Sequence, residues 1–136
     1  MAAYRNCGLE VVVAASKNQP VAGWILSGLF AAFLAFSASG KFRDFPGKAE
    51  MFSHLGQSID TMKYIGVVEL LVAVLFLVPR TAFVGAILAT AYLGGAISTH
   101  VRVGDPFIFV VFLGVVVRVG YALRRPDVIK GAFGPG

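Results

Sequence analysis

The sequence is poor in cysteine, histidine and charged residues, and each shortage excludes a class of chemistry. Its one cysteine, Cys7, excludes an internal disulfide and a Cys-x-x-Cys redox pair. Its two histidines, His54 and His100, lack the spacing of a metal-ligand pair, so we predict no metal site. Gly94 and Gly95 lie inside an apolar helical segment and follow no strand, so they predict no phosphate-binding loop. The sequence carries no flavin, haem or nucleotide motif, and it names no catalytic residue.

Charged residues make up only 14% of the 136 residues, whereas hydrophobic residues make up 57%. A soluble domain averages about 25% charged residues, so this composition predicts a membrane protein folded as one domain. The net charge of +5 does not indicate nucleic-acid binding, because the basic residues form no stripe interleaved with aromatic residues. The lipid bilayer is therefore the first partner that the sequence predicts.

The N-terminal segment, residues 1–19, is mixed in character and predicts no membrane span. Its apolar run, residues 11–15, is too short for a signal-peptide core, and Cys7 is not preceded by a lipoprotein processing site. We therefore expect the first hydrophobic helix to stay in the mature protein. We expect the segment before it to lie on the cytoplasmic side, either as an interfacial turn or, as we favour, as a mobile chain.

Four apolar segments follow, each near the roughly 20 residues with which a helix crosses a bilayer. Ser58 or Asp60 is expected to cap the second segment. Asp105 and Pro106, as an N-cap acid and a first-turn proline, are expected to open the fourth. The predicted spans are residues 21–39, 60–78, 82–100 and 106–123, in a domain of residues 20–124 that is followed by a loosely held cytoplasmic tail, residues 125–136.

These segments predict an all-α fold, an integral membrane antiparallel four-helix bundle, because backbone amides in lipid must be satisfied within each helix. A soluble four-helix bundle is the structural alternative. It would need a polar stripe on each helix, whereas residues 67–78 contain a single polar residue, Glu69. The one substantial connection, residues 40–63, includes residues 49–55, which we expect to form a short amphipathic turn on the membrane surface.

The distribution of basic residues predicts the orientation of the four spans. An even number of spans places both termini on one side of the membrane. Excess lysine and arginine favours the cytoplasmic side, so we expect cytoplasmic termini in a multi-pass protein of the inner (plasma) membrane. The side with the termini holds Arg5, Lys17, Arg80, Arg118, Arg124, Arg125 and Lys130, and the other side holds Lys41, Arg43, Lys48, Lys63 and Arg102.

Polar residues of these helices converge at the end of the bundle that faces outward in this orientation. Because alternate helices run in opposite directions, Lys41, Glu69 and His100 are brought to one level, together with Arg102 and Asp105. Glu69 is the deepest, roughly 9–13 Å below the start of its helix at 1.5 Å per residue. An unpaired charge at that depth costs several kcal/mol, so we expect Glu69 to face the bundle and either to pair or to be protonated.

Each of these side chains has a structural and a functional interpretation. Glu69 either forms a buried ion pair, or is protonated and hydrogen-bonded to Tyr92 or Ser37, or takes part in ligand binding or proton transfer. His100 is either an interfacial helix-end histidine or a ligand group, and Lys41 is either a snorkelling anchor or a ligand group. The functional hypothesis is that Lys41, Glu69, Tyr92 and His100 bind the polar head of a quinone or another lipid-like molecule.

Several short motifs occur in the order and spacing of a known family. They are Ser39-Gly40-Lys41-Phe42, Gly66-x-x-Glu69, Val78-Pro79-Arg80, Gly95-Ala96-x-x-Thr99-His100 and Gly104-Asp105-Pro106. With these motifs, the chain resembles the DoxX-like family of small four-helix membrane proteins over residues 21–123. That family is named after a membrane subunit of a thiosulfate:quinone oxidoreductase, and other members are linked to redox-stress complexes or, in animals, to receptor assembly. The resemblance implies the fold and supplies no catalytic residue.

Two functions from different classes fit these observations. The first is a quinone-associated or redox-linked accessory subunit, with a quinone as its expected ligand. The second is a non-enzymatic membrane module that supports assembly of a partner protein, or of a homodimer, or binds lipid. A proton-coupled transporter is a third alternative, which a single deep acid makes less favourable unless the protein dimerises. Whether the chain catalyses any reaction is a question that its sequence leaves open.

Overall fold

The chain is helical throughout the part that the structure describes. The computed structural model describes residues 18–133, without the side chains of Ile129, Ala132 and Phe133. Those residues contain no strand, so the predicted all-α class is confirmed. Apart from residues 18 and 19, the predicted N-terminal segment lies outside the described residues, as do residues 134–136 of the predicted tail. The helices are α1 (Gln19–Phe42), α2 (Lys48–His54), α3 (Ile59–Leu77), α4 (Ala82–Val103), α5 (Ile108–Arg124) and α6 (Pro126–Phe133).

Helices α1 and α4 continue past the ends predicted for them. Pro20 lies in the first turn of α1, where its missing N–H breaks no helical hydrogen bond. The helix ends at residue 42, whereas the predicted span ends at residue 39. Helix α4 ends at residue 103, where Gly104 takes a φ of +77° that suits glycine. The last turn of α1 therefore carries Lys41, and the last turn of α4 carries His100 and Arg102.

The starts of α3 and α5 differ in how they are capped. Of the two predicted caps for α3, Ser58 takes the role, because its hydroxyl accepts a hydrogen bond from the Thr61 backbone N–H at 3.1 Å. The prediction that Asp105 caps α5 is wrong. The helix begins at residue 108, not 106, with Phe107 at the N-cap and no side-chain cap. The Asp105 carboxylate lies instead 3.0 Å from Nε2 of His54, across the loop.

The two short helices lie where the sequence predicts a surface turn and a loose tail. The segment expected to be an amphipathic turn lies largely within α2, whose first residue, Lys48, is only 5% exposed. Its ammonium group donates to the Arg43 carbonyl at 2.8 Å, which compensates for its burial. Residues 126–133 of the predicted tail form a helix, α6. Pro126 fits the first position of a helix, because its fixed φ is already helical.

The four long helices pack against one another in pairs that run in opposite directions. Helix α1 contacts α3 and α5, and α4 contacts the same two helices. At the centre, the rings of Phe30 and Phe76 meet edge to face, with centroids 5.6 Å apart. The contacts bury an apolar core to which each long helix contributes. It includes Phe30, Ala31, Leu34, Val72, Ala73, Phe76, Ala89, Leu93, Val110, Leu113 and Val117.

The outward faces of the long helices are also apolar. Phe36 on α1 is 77% exposed, and Ile108 on α5 is 69% exposed. By length and composition, α1 and α4 are each able to cross a membrane. A soluble protein does not usually surround an apolar core with a second apolar surface. These features indicate a membrane protein.

Candidate functional site

Glu69 lies at the centre of a polar cluster between α1, α3 and α4. Its side chain is 1% exposed, and Oε2 lies 2.8 Å from Nζ of Lys41. The last turn of α1 reaches this level of α3 because the two helices run in opposite directions. Gly66 and Ala73, one turn away from Glu69 on either side, are buried and small, so α1 packs closely there. A Cβ at Gly66 would lie 3.4 Å from the Lys41 Cβ.

Two hydroxyl groups complete the polar cluster, which consists of Ser37, Lys41, Glu69 and Tyr92. Oε1 of Glu69 accepts a hydrogen bond from Ser37 Oγ at 3.0 Å and another from the Tyr92 hydroxyl. Nζ of Lys41 also donates to Ser37 Oγ at 2.9 Å and to the Ser37 carbonyl at 3.4 Å. One cation, one anion and two hydroxyls are thus bonded to one another, which lowers the cost of burying the charges.

A cavity of about 560 Å³ opens beside the polar cluster, at the end of the molecule where α1 ends. Its walls come from α1, α2, α3, α4 and the loops that flank α2. Most of the lining is apolar, which is typical of pockets for small organic ligands. Glu69 does not line the cavity, but it is hydrogen-bonded to Lys41 and Tyr92, which do. The lining residues with polar side chains are Ser37, Lys41, Gln57, Tyr92, Thr99 and His100.

His100 lines the cavity but does not join the polar cluster. Its Nδ1 lies 2.8 Å from the Ala96 carbonyl oxygen, one turn earlier in α4. A carbonyl oxygen only accepts hydrogen bonds, so Nδ1 carries a proton. The structure therefore brings Lys41, Tyr92 and His100 to one cavity, and the first two are bonded to Glu69.

Comparison with known proteins identifies a protein family that the chain matches. Residues 25–122 match the model of the DoxX-like family. The chain belongs to the DoxX-like family. The match covers most of α1, all of α2, α3 and α4, and α5 up to its last residues, so the predicted resemblance is confirmed. No curated protein sequence and no solved structure matches the chain.

Arg102 and Asp105, which were also predicted to lie at this level, are outside the polar cluster. Nη2 of Arg102 donates to the Leu55 carbonyl at 2.7 Å, and Asp105 pairs with His54. Both contacts join the end of α4, or the loop after it, to the end of α2. Arg102 and Asp105 therefore hold the wall that α2 forms over the cavity.

Helix α2 and the loop after it supply lining residues that the sequence analysis did not identify. Phe52, Leu55 and Gln57 line the cavity from this side. Phe52 is buried, and the Gln57 backbone N–H donates to the Phe52 carbonyl at 2.9 Å. The amphipathic pattern of residues 49–55 was the available signal. That pattern predicts a segment on the membrane surface, whereas in the structure Phe52 is buried and lines the cavity.

Arg124 lies at the opposite end of the long helices, and its contacts were not predicted from the sequence. Its guanidinium donates to the carbonyl oxygens of Phe76 at 2.9 Å and Leu77 at 3.3 Å, at the end of α3. It also lies over the Trp24 ring, 3.9 Å from the centroid. Helix ends leave carbonyls without partners, and an arginine at the same level is a suitable donor.

The described residues offer no obvious metal centre. Within residues 18–133, no group of three or more His, Cys, Asp or Glu side chains is placed to hold a metal ion. His54 and His100 also lie in different surroundings, one at the exposed end of α2 and the other in the cavity. The chemistry that this site offers is therefore hydrogen bonding and charge, beside an apolar space.

Proposed function

We propose that this protein is an integral membrane protein whose four long helices cross the bilayer as an antiparallel four-helix bundle. Support comes from α3 and α5, the two long helices that are shorter or more charged than α1 and α4. Their outward side chains are apolar as well. Val67 and Leu71 on α3 and Phe109 and Phe112 on α5 are all more than half exposed. Apolar side chains on every outward face are suited to lipid.

The proposed location is the inner (plasma) membrane, with both termini in the cytoplasm. The end of the molecule where α1 begins and α5 ends carries Arg80, Arg118, Arg124 and Arg125. A concentration of arginine near helix ends favours the cytoplasmic side. In this orientation the cavity opens at the outer end of the bundle.

The proposed function of the cavity is to bind a lipid-like molecule with a polar head, such as a quinone. The observation that carries this proposal is the polar cluster beside an apolar cavity of about 560 Å³. Sites for small organic ligands have volumes of about 300–1,000 Å³ and place a few polar groups in an apolar lining. Lys41, Tyr92 and His100 form the polar side of the site, and Glu69 holds Lys41 and Tyr92 in place.

The protein then acts as a quinone-associated or redox-linked accessory subunit of a larger complex. The sequence has one cysteine, so dithiol chemistry needs a second thiol from a partner. The contribution of this chain is to bind and position the ligand in the membrane. This role requires no reaction by its own residues.

The experiment is mass spectrometry of small molecules extracted from protein purified in mild detergent, comparing wild type with Glu69→Gln. We expect a quinone in the wild type and its loss from the folded variant, because the amide no longer balances the Lys41 charge. Glu50→Gln is the matched control, since Glu50 is exposed on α2 and outside the cavity lining. Unchanged ligand content and unchanged stability of Glu69→Gln would refute the proposed site.

The alternative function is a non-enzymatic module that binds lipid or supports assembly of a membrane partner or homodimer. It is favoured by the complete bonding of Glu69, which suits a purely structural role. Phospholipid or a partner protein in the purified sample, no quinone, and poor folding of Glu69→Gln would support this alternative.

A further inference from the structure

The polar side chains that line the cavity differ in how many hydrogen bonds they still have to offer. All three Nζ donors of Lys41 have partners in the protein, namely two atoms of Ser37 and one of Glu69. The Tyr92 hydroxyl donates to Glu69, and the Thr99 hydroxyl donates to the Gly95 carbonyl. These side chains are therefore occupied as donors, and what they still offer a ligand is the acceptor capacity of the Tyr92 and Thr99 hydroxyl oxygens, since an ammonium group cannot accept.

His100 provides an acceptor of a different kind. Because Nδ1 donates to the Ala96 carbonyl, the neutral ring has its lone pair on Nε2, on the opposite side of the imidazole. Within the described residues, Nε2 has no hydrogen-bond partner, and the side chain lines the cavity. Imidazole nitrogen is a good acceptor for a hydroxyl proton, so His100 is suited to a ligand with an O–H group.

Gln57 is the remaining polar lining residue. Its side-chain amide makes no hydrogen bond to any other residue in the described part of the chain. It offers one acceptor oxygen and an NH₂ donor. Among the described side chains that line the cavity, Gln57 is thus the free donor, whereas free acceptors come from His100, Thr99, Tyr92 and Gln57 itself.

This inventory distinguishes the two redox forms of a quinone. A quinone presents carbonyl oxygens, which only accept hydrogen bonds, whereas the hydroquinone presents hydroxyl groups, which donate. A carbonyl leaves His100 Nε2 without a partner, and a desolvated polar atom without a partner lowers affinity. We infer that the cavity binds the hydroquinone form in preference to the quinone, with His100 Nε2 as the acceptor that determines this preference. The inference deepens the proposed function and depends on it.

The test is equilibrium binding to the full chain in mild detergent. The probes are a benzoquinone with a ten-carbon tail and its hydroquinone, both handled without oxygen. We expect the wild type to bind the hydroquinone on the order of tenfold more tightly, as for one well-placed hydrogen bond. Equal affinities, or tighter binding of the quinone, would overturn the inference while leaving the proposed function intact. Binding of neither probe would overturn both.

The variant His100→Asn tests whether Nε2 of His100 determines the preference for hydroquinone. Asparagine keeps an N–H donor near the position of Nδ1 and lacks Nε2, so we expect hydroquinone affinity to fall about tenfold and quinone affinity to stay within about threefold. Lys63→Asn, a change to an exposed side chain outside the cavity lining, is the control and should preserve the preference. A preference that survives in His100→Asn would overturn the assignment to His100.

A second variant removes the free donor. Gln57→Met keeps the length of the side chain and removes both polar groups, so we expect it to weaken quinone binding at least as much as hydroquinone binding. His100→Asn is expected to lower hydroquinone affinity more than quinone affinity. If Gln57→Met lowers quinone affinity more than hydroquinone affinity, the two residues have separate roles as acceptor and donor. A loss confined to the hydroquinone would contradict that division. The wild-type comparison of the two probes decides the main inference even where a variant does not fold.

Discussion

The two ends of α4 differ in how closely its neighbours approach its glycines. At the end where α1 begins, a Cβ on Gly23 would lie 2.8 Å from the Arg124 backbone nitrogen, and a Cβ on Gly85 would overlap the backbone of Phe76. At the other end, Gly94 and Gly95 on the same helix as Gly85 have nothing within 4 Å of an added Cβ. We call these the closed end and the cavity end. Helix α4 thus uses glycine for close contact at one end, and leaves space at the other.

Each end contains a cation, buried Lys41 at the cavity end and half-buried Arg124 at the closed end, and the two charges are compensated in different ways. At the closed end, Arg124 donates to backbone carbonyls of α3 and stacks on Trp24, so it completes a helix end. At the cavity end, Lys41 is paired with the carboxylate of Glu69. The groups that compensate Arg124 are backbone carbonyls, which no substitution removes, whereas the group that compensates Lys41 is the carboxylate of one side chain, Glu69. The cavity end is therefore the end that one substitution disrupts most.

The largest expected effect is at the cavity end, with Lys41→Met. This change leaves the Glu69 carboxylate buried without its cation, and breaking a buried pair in this way costs about 3–5 kcal/mol. The measurement is the free energy of unfolding in detergent, followed by circular dichroism. Lys63→Met is the matched control, because Lys63 lies 4.0 Å from Asp60 on the exposed surface. An exposed pair of this kind contributes at most about 1 kcal/mol.

The double variant Lys41→Met with Glu69→Leu tests whether the loss arises from the unpaired charge. Replacing both members of a buried pair with apolar residues is often nearly neutral, so we expect at least half of the lost stability to return. A double variant that is less stable than Lys41→Met alone would contradict this explanation.

The second prediction concerns the closed end, with Gly85→Ala. The added methyl group overlaps the backbone of Leu75 and Phe76, which cannot move aside as a side chain does. Overpacking of this kind costs about 1–3 kcal/mol. Gly94→Ala is the control on the same helix. It should be neutral or stabilising by up to about 1 kcal/mol, because alanine favours the helix and meets open space. Equal effects of the two changes on thermal unfolding would refute the distinction between the ends.

The sequence predicts the polar cluster well, because its geometry follows from helix rise and alternating direction alone. Lys41 and Glu69 lie at the same level, as predicted, and form an ion pair, and the Tyr92 hydroxyl donates to Glu69. The alternatives of an ion pair and of hydrogen bonds to Tyr92 or Ser37 are not exclusive. The structure contains both, since the two carboxylate oxygens have different partners.

The walls of the cavity and the closed end are less predictable, because they depend on contacts between distant segments. Asp105 has the local pattern of a helix cap, but His54, about 50 residues earlier, provides its partner. The local sequence does not show whether lipid or a cavity lies beneath α2, and this determines which way the Phe52 side chain points. Arg124 has the local pattern of a basic residue at a helix end, and only the packing of α5 on α1 brings it to Trp24 and α3.

The third prediction concerns the cation of the closed end, with Arg124→Gln. The variant loses charged hydrogen bonds to the Phe76 and Leu77 carbonyls and the contact with Trp24. We expect a loss of about 1.5 kcal/mol in the free energy of unfolding, because water partly replaces donors at a half-buried site. Arg118→Gln is the control, since Arg118 is exposed on the same helix. A loss as large as that of Lys41→Met would show that the two ends are equally sensitive.

The smallest effect is expected from the exposed pair that connects the closed end to α6. Arg125 donates to Asp127 at 2.8 Å, and this hydrogen bond lowers the pKa of the Asp127 carboxyl in the folded chain. A lowered pKa contributes stability that is complete above the unfolded pKa of about 3.9 and is lost as the pH falls through the folded value. We therefore expect the difference in thermal stability between wild type and Asp127→Asn to be small at neutral pH and to vanish in acid. Asp60→Asn is the control, since Asp60 is also exposed and lies 4.0 Å from its lysine. A difference that grows on acidification would show that Asp127 does not act through its charge, and that α6 is attached to the closed end by other contacts.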